Sequence, residues 1–212
     1  MISGFHFTMT YAIIGFTVLI SLIALNDRKV FENMMFEPFV INTRKDWFRL
    51  LTHGFIHGNM MHLGLNMFVL YMFGQSVERG YAEITGRSSL LPFLILYLAG
   101  ITLSSIPAYY KHRWNPNYRA VGASGATSAV VFASILMYPT SKMYLLILPI
   151  PAPAWIFGLL YLGYEWYMGQ KGSDGIAHDA HFAGAIVGLL FTVILDPQVV
   201  PAFIQAISGS LS

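Results

Sequence analysis

Six long stretches almost free of charge recur along this chain, near residues 8–25, 57–77, 90–109, 123–138, 152–168 and 178–195. A helix crossing the hydrocarbon core of a bilayer needs about 20 mostly apolar residues. Charged residues make up 10% of the chain and hydrophobic residues 56%, whereas a soluble domain carries about a quarter charged. So few charges cannot cover a globule in water. The sequence therefore predicts an all-α membrane protein, its 212 residues forming a single domain.

The ends of the runs are marked. Asn26-Asp27-Arg28-Lys29 closes the first, Pro139 the fourth and Asp196-Pro197 the sixth. Residues 1–7 hold no Lys or Arg, and the apolar stretch after them is too long for a signal-peptide core, so it reads as a retained span. Between the first two runs, Phe31, Phe36, Trp47 and Phe48 mix with Arg28, Lys29, Arg44, Lys45 and Arg49. Aromatics among bases suit the headgroup region, which predicts an interfacial first loop. The apolar, proline-broken stretch 143–153 reads as an interfacial lead-in to the fifth span. The net charge of +2 is dispersed, which argues against nucleic acid as a partner. With no cysteine there is neither a disulfide nor a thiol nucleophile.

Polar residues in lipid face the bundle interior or a wet cavity, and they concentrate in the second, fourth and sixth runs. Ser124 opens the fourth, between Gly122 and Gly125, where free first-turn amides of a helix could hold an oxyanion. Small residues at such spacing also serve plain helix packing. His181 shares a face of the sixth run with Gly184 and Gly188, and that glycine pair permits close approach to a neighbouring helix. If that neighbour is the fourth run, His181 can act as general base to Ser124. A dyad would suffice, and Asp179 points to another face. His62 and Asn66, at i and i+4, project together and could donate to an oxyanion, or simply bond between helices. His53 and His57 read as wet surface histidines. His178, nearer the 169–177 loop, reads as water-satisfied and secondary to His181. No His-Glu-x-x-His element occurs and no acid lies near His62, so no metal and no cofactor are expected.

These residues resemble the rhomboid family of intramembrane serine proteases over nearly the whole chain. The resemblance rests on Gly-x-Ser-Gly at 122–125, His-x-x-x-Asn at His62 and Asn66, the run from Ala180 through His181 and Gly184 to Gly188, and Trp47-Phe48-Arg49 in the first loop. It implies a six-transmembrane-helix bundle in which Ser124 is the nucleophile and His181 the base. His62, Asn66 and the Ser124 amide would be the oxyanion contacts. The implied substrates are single-span transmembrane proteins in the lipid bilayer, cut by water reaching a cavity among the spans. Gating would involve the fifth span and the 169–177 loop, made pliable by Gly172, Ser173 and Gly175.

The chain departs from the family at Phe48, which stands between Trp47 and Arg49, and at Ser128, where several members have a tyrosine packed on the catalytic histidine. Ser128 itself is thus a candidate to orient His181. No seventh span is expected. The resemblance places the protein in the cell membrane with the amino terminus inside, leaving Arg79, Arg87 and Lys142 on the inner side and nine bases outside, a distribution the positive-inside rule would reverse. Two rivals are a catalytically silent rhomboid-like protein that binds membrane clients and a small transporter. Both key residues are present, and no similarity between halves appears.

Overall fold

The computed structural model describes residues 8–86, 88–144, 151–171 and 175–211. Residues 1–7, Arg87, the 145–150 part of the proline-broken segment, and Gly172 and Ser173 lie outside the described residues. Helix α1 (Met9–Asn26) is followed by the loop helices α2 (Arg28–Met34), α3 (Pro38–Arg44) and α4 (Arg49–Thr52) and a 3-10 turn at His53–Phe55. Next come α5 (Met60–Thr85), α6 (Leu90–Ser104), α7 (Ile106–His112) and α8 (Ser124–Met137). Strands β1 (Lys142–Tyr144) and β2 (Pro151–Pro153) pair antiparallel ahead of α9 (Ala154–Lys171), α10 (His178–Leu195) and α11 (Val199–Leu211).

Helix α8 is the centre. Every residue from Gly125 to Leu136 is buried, with α5, α6, α9, α10 and α11 packed around it. Small residues make this possible. A Cβ on Gly100 of α6 would lie 2.8 Å from Cα of Ala126, and one on Gly184 or Gly188 of α10 would strike the carbonyl oxygen of Gly125 or Ala129. Without hydrophobic drive between helices in lipid, such backbone-to-backbone contact supplies much of the packing.

By length and composition, Met9–Asn26, Leu90–His112 (α6 with α7) and His178–Leu195 can each cross a membrane, and α8 is apolar but shorter. Helix α5 is long but diluted by charge. It runs past residue 77 to Thr85 because Glu78, Arg79 and Glu83 end an apolar run without ending the helical hydrogen bonds; left-handed Gly86 does that, at φ 62°. Buried Glu78 is satisfied by the start of α1: the Met9 and Thr10 amides donate to it at 2.9 and 2.7 Å, and so does the Thr10 hydroxyl.

The first loop is a folded element organised by Arg49, which is buried and donates to the carbonyls of Glu32 at 2.8 Å and Met35 at 2.9 Å. Trp47 and Phe48 stay exposed beside it. Helix α10 ends at Leu195, where Asp196-Pro197 is expected to stop it, and the chain then turns into α11, whose Phe203 packs against the α8 cluster of Val131, Phe132 and Ile135. A proline that cannot continue one helix is well tolerated just ahead of the next.

Candidate active site

Ser124 is the first residue of α8, and the two residues before it are held on three sides. Gly122 adopts φ 115°, a conformation L side chains rarely take, and a Cβ there would lie 2.5 Å from the His62 ring. Its amide donates to the carbonyl of His53 at 2.9 Å. The Ala123 amide donates to Nε2 of His57 at 3.3 Å. A backbone N–H can only donate, so Nε2 of His57 is the acceptor and Nδ1 carries the proton. That proton goes to Ser21 Oγ at 2.9 Å, and Ser21 in turn donates to the carbonyl of Phe55 at 2.9 Å. A relay thus ties the approach to Ser124 back to α1.

This corrects the reading of His53 and His57 as wet surface residues. Both are buried, at 6% and 0% exposure. Burial pushes His53 down to about 4 despite its bond to the Arg49 carbonyl. Burial, with nearby His62 adding to it, pushes His57 down to about 3. Sequence gave no sign of this, because a histidine between two spans looks solvated until the loop folds over it.

His62 and Asn66 sit one turn apart on α5, which Asn59 caps by accepting from the His62 amide at 2.8 Å. The His62 ring lies over Gly122 and makes an edge contact with His57, centroids 5.0 Å apart. Asn66 donates to the His62 carbonyl at 3.0 Å and accepts from the Thr127 hydroxyl at 3.1 Å, while Thr127 also reaches the Ser124 carbonyl at 3.0 Å. A second amide hydrogen of Asn66 remains for another acceptor. Three elements therefore meet at Ser124: the loop, α5 and the α8 amino end.

His181 comes in on α10, one turn before the Gly184–Gly125 contact, so it and Ser124 lie at the same end of the α8–α10 crossing. Among the described residues no direct hydrogen bond joins them. The His181 ring is instead held by a residue the sequence reading missed. Nδ1 donates to Oε1 of Glu165 at 3.2 Å, and Nδ1 of His178 donates to Oε2 of the same carboxylate at 2.6 Å. The available signal was an acid in an otherwise apolar run, which is costly and demands a partner. His178 is therefore not water-satisfied: it is 2% exposed and bonded to a buried acid. Ser128 does not orient His181 either. Its hydroxyl pairs with that of Tyr161 at 3.1 Å. Asp179 faces away, to Lys111 at 2.6 Å. Glu165, His178 and His181 offer ligand atoms within 4.8 Å of one another, a set able to hold a metal ion that the sequence reading did not foresee.

Apolar helices packed around α8, with a glycine-flanked serine at its start and buried histidines and an amide on the neighbouring elements, define a helical membrane protein with a polar centre. The chain belongs to the rhomboid family, a family of integral membrane proteins: residues 44–198 match the Rhomboid domain. It is similar to RHOMBOID-like protein 12, mitochondrial, of Arabidopsis thaliana, 30% identical over 156 residues, covering 66% of this chain and 44% of that one. Rhomboid protein 1, mitochondrial, of Saccharomyces cerevisiae is 27% identical over 149 residues, 67% of this chain and 40% of that one. Rhomboid protease GluP of Bacillus subtilis is 28% identical over 158 residues, 74% of this chain and 28% of that one. The chain thus spans less than half the length of each of these relatives.

Proposed function

We propose that this protein is an intramembrane serine endopeptidase that cleaves transmembrane protein substrates. The observation that carries the reading is the glycine-mediated contact of α10 with α8 at Gly125, beside Ser124 and one turn from His181. In the proposed reaction, Ser124 Oγ attacks the scissile carbonyl carbon and its proton passes to Nε2 of His181. The oxyanion is held by the Ser124 amide, His62 and Asn66. His181 then protonates the leaving amine as the C–N bond breaks, and water, activated by the same imidazole, releases the acyl chain. One domain of 212 residues, with α1, α5, α6, α8, α9 and α10 as its six spans and the first loop at the interface, would carry this chemistry in the cell membrane, amino terminus inside.

A silent client-binding rhomboid relative is the second reading, favoured by the missing direct bond between Ser124 and His181. A fluorophosphonate probe separates the two. Labelling of the purified protein that is lost in Ser124→Ala and weakened in His181→Ala is expected; an unlabelled, folded wild-type chain would leave only the silent reading.

A further inference from the structure

Building on the reading of Ser124 and His181 as nucleophile and base, we infer that Glu165 is the positioning residue of that base, so that His181 is competent only while α9 is seated against α10. The Glu165 side chain is 5% exposed on an apolar helix. An acid in such a place persists only with partners, and this one is met by two imidazoles, not by a lysine or arginine. Tyr161, one turn back on α9, also interacts with it.

The chemistry of the acceptor decides the tautomer. A carboxylate only accepts, so the Nδ1 proton of His181 points at Glu165 and Nε2 keeps its lone pair. A base acting on Ser124 needs Nε2 in that form. When the imidazole takes up the serine proton, the carboxylate lies 3.2 Å from the new cation, in surroundings where charges are weakly screened. His178 has a supporting part: by taking Oε2 it leaves Oε1 aimed at His181 and fixes the carboxylate plane.

The link to α9 follows from burial. Past Gly158, α9 is seated through Tyr161 and Leu162 on the α8 cluster and through Glu165, its buried position there and the residue that orients His181. Lifting this half of the helix would remove the carboxylate, and the imidazole could rotate or change tautomer. Seating of α9 and readiness of the base become one event.

The test uses the full chain in detergent, comparing wild type, Glu165→Gln and Glu165→Asp. Three readouts are taken: the fluorophosphonate labelling rate of Ser124, kcat and KM on a transmembrane substrate, and thermal midpoint. Glu165→Gln keeps the shape and removes the charge, and is expected to lower labelling and kcat about 100-fold with KM within about twofold. Glu165→Asp should recover much of kcat although it packs less well. An undiminished rate in Glu165→Gln, or rates in both variants that simply follow thermal midpoint, would overturn the inference while leaving the protease reading intact. Micromolar zinc inhibiting wild type but not Glu165→Gln would also overturn it, making the cluster a metal site. If wild-type Ser124 is not labelled, the protease reading fails and takes this inference with it.

Discussion

Gly184 of α10 rests on the carbonyl oxygen of Gly125, the residue after Ser124, with no space for a Cβ between them. That contact sets how close His181 comes to α8. Gly188 repeats it one turn on, against Ala129. The two helices meet backbone to backbone.

Gly184→Val should therefore push α10 off α8. Backbone cannot yield as a side chain tip can, so the loss is expected to reach about 3 kcal/mol or more, with the proposed peptidase activity lost. Gly163→Ala on α9, where a Cβ meets nothing within 4 Å, should be neutral or slightly stabilising. Thermal midpoints in detergent for the two variants check this; equal effects would contradict it.

Stability should fall in mild acid. His53 and His57 titrate at about 4 and about 3 in the folded protein, against 6.5 for a free histidine. Above pH 6.5 both states are neutral and nothing is lost. As pH drops below that, the unfolded chain takes up protons the folded one refuses, so stability declines down to about pH 4 for His53 and about pH 3 for His57. Each contributes up to about 1.4 kcal/mol per pH unit within its window. His57→Gln, whose side-chain oxygen can still accept from Ala123, should flatten the profile of thermal midpoint against pH.

Glu78→Gln should loosen the amino end of α1. A carboxylate accepting two backbone amides and a hydroxyl at a helix start is replaced by a neutral amide, a loss of about 2 kcal/mol. Hydrogen exchange should rise first at the amides of Met9 and Thr10. Uniform exchange across α1 would argue against Glu78 as its anchor.

The two α10 histidines should differ in kind. His181→Ala is expected to weaken fluorophosphonate labelling strongly with the fold retained. His178→Ala removes the shorter of the two bonds to a buried carboxylate, so a loss of about 3 kcal/mol in stability is expected, with part of the activity kept. Paired measurement of melting and labelling decides it: a His178→Ala protein that melts like wild type would mean Glu165 is satisfied without it.

Local patterns carried much of this protein on the page of its sequence. Six charge-poor runs marked the helices α1, α5, α6, α8, α9 and α10 to within a turn or two at most ends, because an apolar stretch of that length is a property of the chain alone. The shared face of His62 and Asn66, and of His181, Gly184 and Gly188, follows from helical periodicity. The glycines at 122 and 125 were visible as small residues beside a serine, though not the positive φ of one or the close approach at the other.

Pairing across helices was decided only by the tertiary structure. A lone Glu165 in an apolar run announces that it needs a partner but not which one, since its partners lie 13 and 16 residues away, across a change of helix. His53 and His57 become buried, neutral supports only once the first loop closes over the 122–123 approach, and Ser128 finds Tyr161 because α8 and α9 happen to cross there. Burial and hydrogen-bond partnership are relations between segments. Periodicity shows the face a residue is on, and packing alone determines what that face meets.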